Sequence, residues 1–159
     1  MSDKYLKEYN EQSKMASEHE GYTYTLSCHR NFEEDSIDEN TTKLMAHKEN
    51  KEGQLYLFNE IFWGLYQIVF NTTAYNMKEW KVNVTEIEGK ERLELSKTKS
   101  TLWKLLIVDQ KAKTYKIQNA FTNHFIYINY GNERDYYSYY LEMTPDSDKA
   151  TNFIINKAS

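Results

Sequence analysis

The residues able to do chemistry are few and scattered. Cys28 is followed at once by His29. A thiol and an imidazole can pair as nucleophile and base, but neighbours in a strand point to opposite faces. Cys28 therefore reads as a small buried side chain. His19, His29, His47 and His124 show no Cys-x-x-Cys or His-x-x-x-His spacing, so no metal site is expected. No phosphate-cradling Gly-rich loop and no Gly-x-Ser-x-Gly elbow is present. The carboxylates Glu33, Glu34, Asp35, Asp38 and Glu39 lie in one polar run. Glycoside hydrolysis needs two carboxylates at a set separation in a cleft, which such a run does not specify. The sequence predicts a protein that is not an enzyme, with no catalytic residue and no cofactor.

Two segments have the composition of a binding surface. The run 129–140 mixes tyrosines with amides and carboxylates. Aromatic rings can stack on a sugar while polar groups bond its hydroxyls. Asn129, Tyr130, Asn132, Asp135 and Tyr137 are the expected ligand-binding residues. Tyr139 is expected to point inward with Leu141 and Met143, leaving Tyr136 and Tyr140 on the other face. The second segment is the acidic loop 29–42, whose Phe32, Asp35 and Ile37 would meet a protein partner. A glycan is the expected partner and a protein, such as a protease, the alternative.

The elements that must position these residues follow from the hydrophobic period. The chain has 159 residues, enough for one domain with a full core. Fourteen tyrosines and an aromatic content of 15% favour pleated, half-buried surfaces. From Tyr22 the sequence alternates, as a half-buried strand does. Short apolar runs recur at 43–48, 54–59, 62–70, 80–87, 92–96, 102–108, 115–119, 125–130, 137–143 and 152–156. Turn residues at 50–53, 88–90 and 129–132 separate some of them. Residues 1–20 are rich in helix formers and read as a short helical or loose tail before a domain spanning 21–159.

The formal net charge of −4 disfavours a nucleic-acid partner. No apolar stretch is long enough for a membrane span. The charged start lacks a signal-like apolar region, which predicts residence in the cytoplasm, or secretion by a route or signal not visible here. One cysteine excludes an internal disulfide.

A small signature repeats three times. Leu55-Tyr56-Leu57, Leu93-Glu94-Leu95 and Leu141-Glu142-Met143 each place two apolar side chains on one face. Each is followed by an aromatic residue opening another apolar run, at Trp63, Trp103 and Phe153. Tyr75 and Tyr115 then lead the next units, and Tyr24 the first. This predicts an all-β fold of three four-strand repeats, at about 22–70, 71–110 and 111–159. Leu55, Leu57, Trp63, Leu93, Leu95, Trp103, Leu141 and Phe153 are its expected core. Trp80 stands outside the repeated set.

The repeat resembles the β-trefoil, and its Trp-x-Leu then Tyr-x-Ile arrangement is similar to the ricin-B-like lectin branch. Trp103-Lys-Leu-Leu followed by Tyr115-Lys-Ile-Gln-Asn carries this best. That resemblance implies carbohydrate binding. Two further likenesses are to the trefoil part of the insect 30-kDa lipoproteins, over 103–119, and to the fungal trefoil protease inhibitors, in size and single-domain build.

Overall fold

The computed structural model describes residues 9–28, 40–48, 54–72, 78–135 and 138–157, with the side chains of 9–11, 132–135 and 157 left aside. The regular structure in them is β, apart from one 3-10 turn at Ser147–Lys149. The all-β class expected from the sequence is met. No described helix is long and apolar enough to cross a membrane.

Twelve strands follow one another: β1 (Tyr9–His19), β2 (Tyr22–Cys28), β3 (Thr41–Lys48), β4 (Tyr56–Phe62), β5 (Leu65–Phe70), β6 (Lys81–Ile87), β7 (Lys90–Ser96), β8 (Trp103–Asp109), β9 (Thr114–Asn119), β10 (Phe125–Asp135), β11 (Ser138–Thr144) and β12 (Phe153–Lys157). Every pairing between them is antiparallel. Two connections are two-residue turns with both φ angles positive. They are Glu20-Gly21 (49°, 83°) and Glu88-Gly89 (55°, 79°). Such turns match the strand twist, and glycine adopts the second position without strain.

The pairings join all strands into one uneven sheet that runs back on itself. β1 pairs with β4, β4 with β5, β5 with β8, β8 with β9, β9 with β12, and β12 with β1. The hairpins β2–β3, β6–β7 and β10–β11 meet through β3–β7, β7–β11 and β11–β3. The main core fills this arrangement with Leu26, Phe58, Ile68, Leu93, Trp103, Ile117, Leu141 and Ile155 among others.

Four expectations are corrected. First, residues 9–19 form β1, where a helical or loose tail was expected. Ser13, Met15 and Ser17 are buried on one face, and β1 pairs with β12, β2 and β4. Ring closure outweighs helix propensity, which is a weak prior against tertiary pairing. Second, the expected repeat at 22–70 leaves out β1, and the strands form one continuous sheet ring.

Third, the phase of β4 is shifted by one residue. Tyr56 and Phe58 are fully buried, whereas Leu55 and Leu57 are half-buried. A one-residue slip exchanges the two faces of a strand, and here the larger rings take the interior. The Tyr56 hydroxyl donates to Leu26 O at 3.2 Å, so the buried phenol is satisfied. Burial pushes that phenol well above its ordinary pKa. Trp63 accordingly lies in the β4–β5 turn and is 72% exposed. Tyr56, not Trp63, corresponds to Trp103 and Phe153. Each opens its strand, each is fully buried, and they pair with Ser13, Tyr66 and Tyr115 in turn.

Fourth, the turn expected at 129–132 is a bulged stretch of β10, with a register shift between Ile128 and Glu133. The Asn129 side chain accepts from Gly131 N at 3.1 Å, bending the strand locally without ending it. The remaining expected core residues Leu93, Leu95, Trp103, Leu141 and Phe153 are buried, and Trp80 is half-buried against the core.

Candidate functional site

The outward faces of β4 and β5 build a groove. With Tyr56 and Phe58 turned inward, Leu57 and Asn59 must turn outward. The register sets Leu57 opposite Val69 and Asn59 opposite Gln67. Two apolar side chains thus lie beside two amides. The chain then bends: Asn71 N donates to Leu55 O at 2.8 Å, Phe70 N to Trp80 O at 2.7 Å and Glu79 N to Phe70 O at 2.8 Å. These bonds bring Glu79 and Lys81 against β5, where Lys81 pairs with Val69. Leu57, Asn59, Gln67, Val69, Asn71, Glu79 and Lys81 enclose about 350 Å³.

The polar groups of this groove are available. The Asn59 and Gln67 amides make no side-chain hydrogen bond among the described residues. Each offers donors and an acceptor side by side. Lys81 Nζ donates to Glu79 O at 3.3 Å, which holds the ammonium at the rim and leaves the Glu79 carboxylate outside that bond. A polyol can bridge such amides while its C–H face rests on Leu57 and Val69.

The ligand residues expected from the sequence fall elsewhere. Tyr130 joins an aromatic cluster. His19 stacks on it at 3.7 Å and 8°, and Tyr24 and Tyr139 meet it edge-on at 5.0 and 5.8 Å. Burial pushes the Tyr130 phenol up to about 12, against a hydrogen bond with Ser17 that lowers it. Its ring borders a notch of about 310 Å³ with His19, Glu18, Lys149 and Asn152. One face of the ring is thus taken by His19, and two further rings crowd it.

Asn129 is committed to the interior: Nδ2 donates to Glu142 Oε1 at 3.0 Å. The same oxygen accepts from the Tyr127 hydroxyl at 2.9 Å, and Glu142 Oε2 accepts from Arg92 Nε at 2.8 Å. Arg92 lies 3.7 Å from the Tyr140 ring centroid. Tyr140 is thereby buried, on the face of β11 expected to be open. Burial alone would push the Glu142 carboxyl up, but hydrogen bonds from Arg92, Tyr127 and Asn129 and the Arg92 charge hold it below the ordinary range. The Tyr127 phenol is pushed up to about 12 by burial and by its bond to Glu142. This network closes the junction of β7, β10 and β11.

The side chains of Asn132 and Asp135, and residues Tyr137, Phe32, Asp35 and Ile37, lie outside the described residues. Cys28 is buried, its N–H donating to Gln54 Oε1 at 2.7 Å. Among the described residues no group of three or more His, Cys, Asp or Glu side chains is placed to hold a metal.

No protein-family model matches the sequence. No curated protein matches it either. Among solved structures the chain is similar to a salivary protein from Culex quiquefasciatus that belongs to the Cysteine and Tryptophan-Rich (CWRC) family. The TM-score is 0.66 and the identity 13%, over 93% of this chain and 94% of that one. At this identity the likeness concerns the fold alone. It overturns the ricin-B-like lectin resemblance and the two weaker likenesses, because the matching structure is a CWRC protein and the sheet is a single uneven ring. The Trp103-x-Leu105 and Tyr115-x-Ile117 signatures record inward-facing positions, which any closed sheet of this size must fill, whereas Trp63 of the same pattern is exposed.

Proposed function

We propose that the protein is a non-enzymatic binding module that holds a carbohydrate in the β4–β5 groove. The observation that carries this reading is the pairing of two uncommitted amides, Asn59 and Gln67, beside an apolar floor of Leu57 and Val69. Binding sites of this kind join an apolar surface to a few convergent polar groups. Sugar hydroxyls both donate and accept, as amides do, and leaving a buried amide unmatched disfavours apolar ligands. The Cys28 backbone bond to Gln54 and the saturation of Glu142 support a structural role for these two groups.

For the fold, we read the six-strand ring with its three mutually paired hairpins as an uneven β-trefoil, with units of 9–62, 65–109 and 114–157. The salivary description of the similar structure supports a secreted setting. A glycan array probed with the parent protein and with the Asn59→Ala/Gln67→Ala variant tests the function. Binding is expected for the parent and lost in the variant, at equal melting temperature. An array without signal, or a variant that binds as the parent does, contradicts the proposal.

A further inference from the structure

A second surface lies apart from the groove floor. Ile61, Phe62 and Trp63 are consecutive and exposed at 42%, 65% and 72%. They sit on the tip of the β4–β5 hairpin, and the tip is built. Phe62 pairs with Leu65, Gly64 takes a φ of +76°, and Gly64 N donates to Glu60 Oε2 at 3.0 Å. An exposed, shaped apolar tip is costly in water unless something covers it.

The neighbouring tip is basic. β5 pairs with β8 at Tyr66 and Trp103, and β8 runs into the β8–β9 turn through Val108, which is 47% exposed. Asp109 Oδ1 accepts from Lys111 N at 3.0 Å and Ala112 N at 3.2 Å, fixing that turn. Lys111 and Lys113 are exposed on it. Among the described side chains, the acids Glu60 and Asp109 of these two hairpins each fold back onto a backbone N–H of their own turn.

We propose that this end of the ring docks on an anionic lipid bilayer. Phe62 and Trp63 enter the headgroup boundary, where tryptophan is favoured, and Lys111 and Lys113 face the lipid phosphates and carboxylates. The charge pattern selects the occupant. A convex apolar tip beside two cations complements an anionic interface and needs no matching cavity, as a protein partner would. The proposal is independent of carbohydrate binding.

The test is co-sedimentation of the full chain with phosphatidylcholine vesicles, with and without phosphatidylserine, both free of glycolipid. Binding is expected with phosphatidylserine and to weaken with salt. Tryptophan emission should shift to the blue, and the shift should vanish in Trp63→Phe, since Trp103 is fully buried and Trp80 half-buried. Phe62→Ser/Trp63→Ser should weaken partitioning at least about tenfold. Each of Lys111→Gln and Lys113→Gln should weaken it about fivefold. Asn59→Ala/Gln67→Ala should bind vesicles as the parent does. The variants are checked for unchanged melting temperature. No binding to phosphatidylserine vesicles, binding untouched by the Phe62→Ser/Trp63→Ser change, or capture of the tip by a protein without any lipid binding would each overturn the proposal.

Discussion

Replacing Glu142 by Gln tests the buried network that closes the junction of the hairpins. The side chains of Arg92 and Glu142 are 3% and 4% exposed, and Nε to Oε2 is 2.8 Å. At an effective dielectric of about 20, two unit charges at this distance attract by roughly 6 kcal/mol, before the cost of taking them from water. Glu142→Gln keeps an oxygen for Tyr127 and Asn129, but it removes the charge facing Arg92 and sets an NH2 donor where Arg92 Nε had its acceptor. The buried guanidinium then keeps only the longer pair with the exposed Glu88 carboxylate and a bond to Ile87 O, both at 3.4 Å, and breaking a buried pair costs about 3–5 kcal/mol. In a domain of this length each kcal/mol is worth about 2–4 °C, so the melting temperature should fall by roughly 6–20 °C. Arg92→Met should cost less in the Glu142→Gln variant than in the parent, with a coupling of at least about 1.5 kcal/mol.

The pH dependence of the same variant has a definite sign. The Glu142 carboxyl is held below its ordinary value, so its stabilisation is present above that value and is lost as pH falls through the depressed one. The gap between parent and Glu142→Gln should therefore be full at neutral pH and shrink in acid below about pH 4. Thermal melts followed by circular dichroism across pH measure it. A variant melting within about 2 °C of the parent at pH 7, or strictly additive single changes, would refute the assignment of a coupled buried pair.

The corrected core makes two further predictions. Trp103→Ala should cost about 3–5 kcal/mol, and Trp63→Ala less than about 0.5 kcal/mol, in urea unfolding followed by circular dichroism. Equal costs would show that Trp63 is buried. Removal of residues 1–20 should abolish cooperative unfolding, because it strips β1 from β12, β2 and β4. A truncated chain that still melts cooperatively near the parent temperature would restore the tail reading.

Much of the strand pattern was legible in the sequence. The runs expected at 80–87, 102–108, 115–119 and 152–156 differ by at most one residue at each end from β6, β8, β9 and β12. Period-two alternation and turn residues sufficed there. β1 was hidden because Ser13, Met15 and Ser17 present a weak apolar face among helix formers. Its burial follows from ring closure, which no local pattern encodes. The phase of β4 was hidden because Leu55-Tyr56-Leu57-Phe58 is apolar at every position, so alternation cannot choose a face. That error placed Trp63 inside and left Asn59 and Gln67 unremarked. Two amides on outward positions become a site only when the register sets them opposite each other. The tyrosine-rich segment 129–140 was conspicuous by composition, but its Tyr130, Tyr139 and Tyr140 rings pack inward or against one another.

The side-chain amide resonances of Asn59 and Gln67 give the most direct measurement of carbohydrate binding in the groove. Labelled protein is titrated with the sugar that binds best on the array. Saturable shifts are expected at both amides and at the Leu57 and Val69 methyl groups, with the His19 and Tyr130 rings unmoved. Shifts confined to His19 and Tyr130, or no shift at Asn59 and Gln67 at saturating sugar, would contradict the groove as the binding site.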